Sequence, residues 1–340
     1  MTDSFPPDPA PPTAAAHPTT SPDDAEAARE ALGAVRDEIA KVIVGQEGVV
    51  TGLVTALIVR GHVLLEGVPG VAKTLLVTTL ASALDLRAAR VQFTPDLMPA
   101  DVTGQTILDS SGTGFRFREG PVFTNLLLAD EVNRTPPRTQ AALLEAMQER
   151  QVSVSGTTHP LPEPFLVVAT QNPVEHEGTY PLPEAQLDRF LFKLLVPYPT
   201  RDQERLILER HHRGMDATQP GNAGVRAVAG AAQLRSARSA VEGVQVADEV
   251  RGYLVDLVRA TRDSPSVELG VSPRGATMLL HAAKAWAWLG GRTFVTPDEV
   301  KAVAKPTLRH RLHLRPELEL EGADADGVLD QVLATVPVPR

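Results

Sequence analysis

The sequence predicts an α/β protein in which a parallel five-stranded sheet, wound with helices, is followed by a helical domain. Short apolar segments of strand length alternate with helical stretches up to about residue 200, and strand signals fade beyond it. The longer apolar runs are continuous, which is typical of strands covered on both faces, as in parallel sheets. The predicted strands are 62–66, 90–93, 125–129, 165–170 and 190–195.

Size and composition limit the class of protein. The 340 residues suffice for one large and one smaller domain, with 43% hydrophobic and 22% charged residues. A net charge of −9 argues against a dominant nucleic-acid footprint, and the absence of cysteine excludes disulfides and thiolate chemistry. No signal peptide and no apolar run of bilayer-spanning length is found, so we expect a cytoplasmic protein without membrane insertion.

Composition changes divide the chain into four parts. We predict a disordered Pro/Ala-rich tail at 1–25, an α/β domain at 26–200, a Gly-rich linker at 201–230 and a helical domain at 231–340. Two hairpins are inserted in the α/β domain, at 105–117 and 151–161, because alternating residues flank Ser-Gly turns there. The apolar periodicity predicts helices at 23–42, 47–60, 247–262, 272–289 and 296–312, and another beginning at residue 73.

The segment "GVPGVAKT", residues 67–74, resembles a phosphate-binding loop between a strand and a helix. Such a loop supplies backbone N–H groups and a helix N-terminus to phosphates, a lysine to the β and γ oxygens, and a hydroxyl to Mg²⁺. Ala72 stands where the common pattern has glycine. We expect this change to cost little, provided that residue 72 is helical and not at positive φ.

Polar residues end two other predicted strands. Asp130 and Glu131 follow "NLLLA", where a metal-binding carboxylate and a water-activating carboxylate would meet a nucleotide, although an ordinary helix N-cap explains such an aspartate equally well. Gln171 and Asn172 end "FLVVAT", where a side-chain amide could hold water against the γ-phosphate, and a plain Asn-Pro turn is the alternative.

Together these motifs resemble the AAA+ ATPases, and closely the MoxR branch, over residues 29–315. The most specific segments are "DEVNRTPPRTQAALLEAMQERQV", "ATQNPVEHEGTYPLPEAQLDRF" and "VTPDEVKAVAKPTLRHRL". The resemblance implies an AAA+ αβα sandwich with a helical lid, and a Mg²⁺-dependent ATPase with ATP and Mg²⁺ as cofactors. Alanine at position 72 is usual in this branch.

The resemblance also implies roles for individual residues. ATP would be bound by Val44, Gly45, Gly67, Val68, Pro69, Gly70, Val71, Ala72, Lys73, Thr74 and Arg274. Mg²⁺ would be held at Thr74 and Asp130, and catalysis would depend on Lys73, Glu131, Asn172 and Arg189. Arg189 resembles the arginine finger that is presented to a neighbouring subunit, and Arg274 the second sensor of the lid.

For Arg189 and Arg274, other interpretations stay open at this point. Arg189 could simply pair with Asp188 or Glu184, and Arg274 could be a surface charge at a helix start. Two rival candidates for the charge that acts between subunits, Arg134 and Arg138, lie after the acidic pair.

Several other residues are of types that occur in functional sites, but their pattern indicates a structural role. His211 and His212 lack metal-ligand spacing and are expected to be a helix-end pair. Trp286 and Trp288 are expected to pack on different faces of one helix. The cluster of Arg309, His310 and Arg311 is expected to complement the macrodipole at a helix end and not to form a basic ligand-binding patch.

By resemblance, the chain is expected to form a homo-oligomeric ring, a hexamer, that remodels or matures partner proteins, including proteins with von Willebrand factor A domains. A chelatase-like motor subunit for metal insertion, a nucleotide-gated binding module and a nucleic-acid motor are the alternatives. Lys and Arg are absent from 151–159 and are balanced by acidic residues in 105–119, whereas a strand-tracking channel needs clustered positive charge. We therefore expect protein clients and no nucleic acid.

Overall fold

The computed structural model describes residues 20–68, 70–108, 114–171, 179–214 and 220–339. Its strands, numbered in chain order, are β1 (Val63–Glu66), β2 (Ala88–Gln92), β3 (Gly104–Leu108), β4 (Phe115–Glu119), β5 (Leu126–Asp130), β6 (Gln151–Val154), β7 (Thr157–Pro160), β8 (Leu166–Gln171), β9 (Phe192–Leu195), β10 (Val267–Leu269) and β11 (His313–Leu314). Its helices are α1 (Pro22–Ala40), α2 (Glu47–Ile58), α3 (Lys73–Ala83), α4 (Pro99–Thr103), α5 (Pro137–Glu149), α6 (Glu184–Leu187), α7 (Arg201–His212), α8 (Ala231–Glu242), α9 (Asp248–Asp263), α10 (Pro273–Leu289), α11 (Pro297–Leu308), α12 (Pro316–Leu320) and α13 (Ala325–Thr335).

The predicted five-stranded parallel sheet is confirmed. Its strand order is β2-β5-β8-β1-β9, and every neighbouring pair is parallel. The register pairs Val63 of β1 with Val168 of β8 and with Phe192 of β9. All five strands therefore end at one edge of the sheet, where parallel α/β folds bind their ligands.

Both faces of the sheet are buried, which explains the continuous apolar runs. Along β1, Val63 and Leu65 pack into one apolar cluster with α1, α2 and α3, whereas Leu64 packs into a second cluster with α5. Strands β5 and β8 alternate in the same way. Because successive side chains of a strand point to opposite faces, a strand in the middle layer must be apolar at every position.

The two predicted hairpins are confirmed as antiparallel pairs, β3 with β4 and β6 with β7. The second turns at Ser155 and Gly156, both with positive φ. The predicted turn of the first hairpin lies mostly outside the described residues. The hairpins contact each other, because the Thr106 and Ser155 hydroxyls are 3.2 Å apart and the Phe117 ring stacks on the His159 ring at a centroid distance of 3.9 Å.

Several predicted boundaries are wrong, three of them with a clear consequence. The first helix begins at Pro22, inside the predicted tail, because Ser21 accepts a hydrogen bond from the Asp24 N–H as its N-cap. Strand β2 begins two residues before its predicted start. Residues 201–212 form α7 and not a linker; the helix is capped by Thr200 but buries no residue completely, so its apolar periodicity is weak.

The C-terminal region is helical, as predicted, with a small addition. Strands β10 and β11 pair across the region, which the sequence pattern did not indicate. Helix α8 packs against α1, and α11 contacts β9 at the edge of the sheet. Among the described residues, none of the helices is both long and apolar enough to span a membrane.

His62, immediately before β1, is buried and neutral. Its Nδ1 accepts a hydrogen bond from the Val167 N–H (3.0 Å), so Nε2 carries the proton and donates to the Met147 carbonyl at 3.0 Å. Burial lowers the pKa of His62 from 6.5 to about 4. Between pH 6.5 and about 4, His62 is therefore protonated in the unfolded chain but neutral in the native state.

We predict that His62 contributes to acid destabilisation between pH 6.5 and 4. In this window the unfolded state binds more protons, so the free energy of unfolding falls by about 3 kcal/mol as the pH decreases. Denaturant unfolding at several pH values tests this, with His62→Gln as the control because an amide offers the same donor and acceptor without titrating. Identical pH dependence in the two proteins would contradict the assignment.

Candidate nucleotide-binding site

The segment 67–74 connects β1 to the first turn of α3, as a phosphate-binding loop requires. Pro69 lies outside the described residues. Lys73 begins the helix, and its Nζ donates to the carbonyls of Gly67 (2.7 Å) and Val68 (3.3 Å), so the ammonium is held against the loop. Burial lowers the pKa of Lys73, while the negative charges of Asp130 and Glu131 oppose this shift. The lysine and both carboxylates therefore share one electrostatic environment.

Ala72 corrects one expectation about this loop. Its φ of 59° and ψ of 27° are left-handed, so the position is not helical and the alanine retains the backbone conformation that favours glycine. A left-handed alanine costs about 1–2 kcal/mol. Gly70 is also left-handed, with φ of 84°. The sharp turn needs both residues, and only one of them is a glycine.

The acidic pair lies where the sequence placed it, at the carboxyl end of β5. Asp130 is the last residue of the strand, and Glu131 follows with a left-handed φ of 56°. Thr170 of the neighbouring strand β8 donates to Asp130 Oδ1 at 2.6 Å, and its hydroxyl accepts from the Glu131 N–H at 2.9 Å. One buried hydroxyl thus fixes the orientation of both acidic residues.

Two residues of β2, which sequence reasoning missed, complete the polar cluster. The Arg90 guanidinium bonds Asp130 Oδ2 at 2.7 Å, and Gln92 Nε2 donates to Glu131 Oε2 at 2.6 Å. Strand β2 is next to β5, with Gln92 opposite Asp130. The available signal was two polar residues in the predicted strand 90–93, with Gln92 near its carboxyl end, but the sequence did not show that β2 and β5 are neighbours.

A cavity of about 220 Å³ adjoins the loop. Its wall combines Val44 and Ala72 with Pro199 and with Ile207 and His211 of α7. The predicted residue Val44 therefore lies beside the loop, and α7 supplies a wall that the sequence did not predict. Gly45 has φ of 75°, and a Cβ there would overlap the Gln203 side chain of α7. The mainly apolar cavity has the character of a nucleobase pocket.

Arg189 lies at the opposite edge of the sheet. It precedes β9, whose first residue Phe192 is level with the start of β1, whereas the phosphate loop follows the end of β1. The four residues of β1 separate these edges by about 13 Å. The Arg189 guanidinium donates to Gln148 Oε1 and to the Ala185 carbonyl, both at 2.9 Å. Pairing with Asp188 or Glu184, the alternative considered from sequence, is not what the structure shows.

Arg274 lies near this second edge and not at the phosphate loop of its own chain. It occupies the exposed second position of α10, whose N-cap Ser272 donates to the Asp188 carboxylate at 3.2 Å. Its charge also helps to lower the pKa of Arg311, after the dominant effect of burial. The structure therefore groups Arg274 with Arg189.

The cluster of Arg309, His310 and Arg311 corrects another expectation. Helix α11 ends at Leu308 and these residues form a 3₁₀ turn in which His310 and Arg311 are buried. They contact the segment before β9, with Arg311 Nε 2.8 Å from Asp188 Oδ1. Complementing a helix macrodipole does not explain this burial.

The remaining residues that the sequence singled out lie in different parts of the structure. Arg134 bonds Glu131 Oε2 at 3.0 Å in the same chain, and Arg138 is exposed at the start of α5. His211 and His212 close α7, as expected, and no cluster of metal-ligating side chains is found in the described part of the chain. Asn172, the predicted first sensor, lies outside the described residues.

The arrangement fits a nucleoside triphosphate and a magnesium ion. Loop N–H groups, the α3 N-terminus and Lys73 suit phosphates, while the Thr74 hydroxyl and the Asp130 carboxylate are the oxygen donors that Mg²⁺ prefers. When bound, the metal would neutralise charge on the phosphates. The chain itself orients the donors, through Thr170 on one side of Asp130 and Arg90 on the other.

Thr170→Val is predicted to destabilise the protein by about 1–3 kcal/mol, since it leaves buried polar partners without their hydrogen bonds, and to lower ATPase activity. The matched control is Thr79→Val in α3. Thr79 is equally buried, and its hydroxyl has no hydrogen-bond partner among the described residues, so its loss should be neutral or stabilising. Thermal unfolding and ATPase assays compare the two variants. Equal effects would refute a special role for Thr170.

Comparison with known proteins agrees with this geometry. The family model "ATPase family associated with various cellular activities (AAA)" matches residues 62–192, and an AAA lid domain model matches 259–332. The chain is 45% identical over 310 residues to the uncharacterized protein YeaC of Bacillus subtilis (strain 168), covering 91% of this chain and 95% of YeaC. It is 43% identical over 312 residues to Chaperone MoxR1 of Mycobacterium tuberculosis, covering 89% and 81%.

A solved structure extends the likeness to three dimensions. The crystal structure of a Cytophaga hutchinsonii protein named "putative ATPase" superposes with a TM-score of 0.86 at 40% identity, covering 94% of this chain and 98% of that one. Family models match both the sheet domain and the helical region, and the relatives align over about nine tenths of the chain. The chain therefore belongs to the MoxR group of the AAA+ ATPases.

Proposed function

We propose that the chain hydrolyses ATP with Mg²⁺ in a homo-oligomeric ring in which each site is completed by the neighbouring subunit. The observation that carries this proposal is the separation of two sets of residues in one chain. Lys73, Asp130 and Glu131 lie at the carboxyl edge of the sheet, whereas Arg189 and Arg274 lie near the opposite edge. A second subunit brings the two sets together.

Within a site, we propose the following roles, which the contacts support. Lys73 and the loop bind the phosphates, and Thr74 with Asp130 would hold Mg²⁺. Glu131, positioned by Gln92 and by its backbone bond to Thr170, accepts the proton of the attacking water. Asn172 is proposed, from its place after β8, to orient that water.

Arg189 is proposed as the residue that acts in the neighbour's site. Its guanidinium is partly exposed and is held by neutral partners, Gln148 and a backbone carbonyl. It therefore does not have to break an ion pair to reach a phosphate. Arg134, in contrast, already pairs with Glu131 at 3.0 Å in its own chain, which favours Arg189 over that rival.

The partners are proposed to be proteins, acted on by a ring of six subunits in the cytoplasm. The paired hairpins present Leu108 and Phe115, which are 56% and 78% exposed, while Arg116 and Arg118 are balanced in part by Glu119. Exposed apolar side chains suit a polypeptide, and they offer little to a phosphate backbone. Proteins with von Willebrand factor A domains are the partner class expected from the family.

The test is to mix two inactive variants. Arg189→Ala should bind ATP normally but lose about a thousandfold or more in hydrolysis, because a charge supplied in trans is missing. Lys73→Ala should fail to bind ATP in its own site while still presenting Arg189. Mixed rings should therefore recover ATPase activity at those interfaces where an intact loop meets an intact Arg189.

The control is Arg138→Ala, an exposed arginine at the start of α5 to which this assignment gives no role in the reaction. It should hydrolyse ATP at the parent rate. If the mixture stays inactive although native mass spectrometry shows mixed rings, Arg189 does not act between subunits.

A further inference from the structure

Arg311 is a buried arginine with every donor satisfied. Arginine has five N–H donors, and those of Arg311 meet the Asp188 carboxylate and the carbonyls of Asp188, Phe190, Leu191 and Thr307. Four of these five acceptors belong to the segment before β9, and the fifth belongs to α11. The side chain therefore joins the helical region to that segment.

The bonds from Arg311 bracket the backbone of Arg189. Its Nη2 donates to the carbonyls of Asp188 (3.1 Å) and Phe190 (2.5 Å), the residues on either side of Arg189. The buried His310 ring adds a contact of 3.0 Å to the Phe190 carbonyl. The backbone of Arg189 is thus fixed from the helical region, while its side chain remains partly exposed.

Asp188 links these contacts of Arg311 to the start of α10, which carries Arg274. Its carboxylate accepts from Arg311 Nε at 2.8 Å and from the Ser272 hydroxyl at 3.2 Å. Ser272 is the N-cap of α10, and its hydroxyl also accepts from the Gly275 N–H at 3.2 Å. Arg274 lies between those two residues. The Asp188 carboxylate therefore sets the position of the start of α10, which carries Arg274, and the position of the segment that carries Arg189.

The ion pair of Asp188 with Arg311 differs from a fully buried pair, because only the arginine is fully buried. Arg311 has only 2% of its side chain exposed, whereas Asp188 has 24%, facing a cavity of about 590 Å³. Replacing the carboxylate by its amide retains the shape of the side chain, but it removes the charge that pairs with Arg311 and leaves one acceptor oxygen in place of two. Arg311 keeps its four backbone carbonyl acceptors, so the contacts of Asp188 can be weakened while Arg311 stays in place.

We propose that Asp188 is a positioning residue for hydrolysis in the adjacent subunit, because it fixes Arg189 and Arg274 as one unit. The inference rests on the proposed role of Arg189 between subunits. A displacement of about 1 Å in a catalytic group can cost about a hundredfold in rate. Weakening the contacts of Asp188 should therefore slow turnover without weakening ATP binding, since the phosphate loop lies at the other edge of the sheet.

The experiment compares Asp188→Asn with Glu184→Gln. Glu184 is one helical turn away, 56% exposed, and is 3.6 Å from His313. For Asp188→Asn we expect kcat to fall by about tenfold or more while the Kd for ATP, measured on the same rings, stays within about twofold. Glu184→Gln should match the parent in both. Native mass spectrometry verifies that ring size is unchanged.

Mixing identifies where the defect acts. Asp188→Asn subunits keep an intact phosphate loop, so Lys73→Ala subunits, which keep an intact Asp188, should restore hydrolysis in mixed rings. A general structural defect would remain in the Asp188→Asn subunit and would not be rescued. The double variant Asp188→Asn with Arg189→Ala should lose no more activity than Arg189→Ala alone, since both changes affect one unit.

The outcomes separate this inference from the proposed function. If Arg189→Ala is inactive but Asp188→Asn has the parent kcat, the positioning role is wrong and the function stands. If Arg189→Ala itself has the parent rate, the proposed function fails and the inference fails with it. Should Asp188→Asn not fold, Ser272→Ala removes only one contact of the carboxylate, and a kcat equal to the parent's would then overturn the inference.

Discussion

Parallel pairing is the constraint on which the rest of this structure depends. Because all five strands of the sheet run the same way, the phosphate loop and the Asp130-Glu131 pair must emerge at one edge, and the segment carrying Arg189 must enter at the other. Lys73 and Arg189 of one chain therefore lie at opposite edges of the sheet. This separation is the basis of the proposal that a second subunit completes the nucleotide site.

The contacts at the two edges differ in kind. At the carboxyl edge, short hydrogen bonds from Thr170, Arg90 and Gln92 hold the acidic pair in place, and an alanine in a left-handed conformation shapes the loop. At the other edge, the buried Arg311 bonds backbone carbonyls on both sides of Arg189, whose side chain is partly exposed. The first edge carries the residues proposed to bind the nucleotide, and the second carries the arginine proposed to act in a neighbouring subunit.

The sequence predicted the features that depend on local pattern. Continuous apolar runs indicated the parallel sheet, the loop before a helix placed Lys73 at a helix start, and the polar residues after an apolar run placed Asp130 and Glu131 at a strand end. It missed Arg90 and Gln92, because strand order within a sheet is a long-range property. It also misinterpreted Arg311, since a positive charge at the end of a helix is locally explained by the helix macrodipole, whereas its burial depends on packing against a segment 120 residues away. Ala72 was misread because helix α3 begins only one residue later.

The most direct test of the account is a structure of the Glu131→Gln ring with ATP and Mg²⁺. This variant should retain ATP, because loss of a general base slows hydrolysis by about a hundredfold or more without removing phosphate contacts. If Arg189 acts between subunits, one of its guanidinium nitrogens lies within about 3 Å of the γ-phosphate bound by Lys73 of the adjacent subunit. An Arg189 that stays on Gln148 of its own chain, with another arginine at that γ-phosphate, would contradict it.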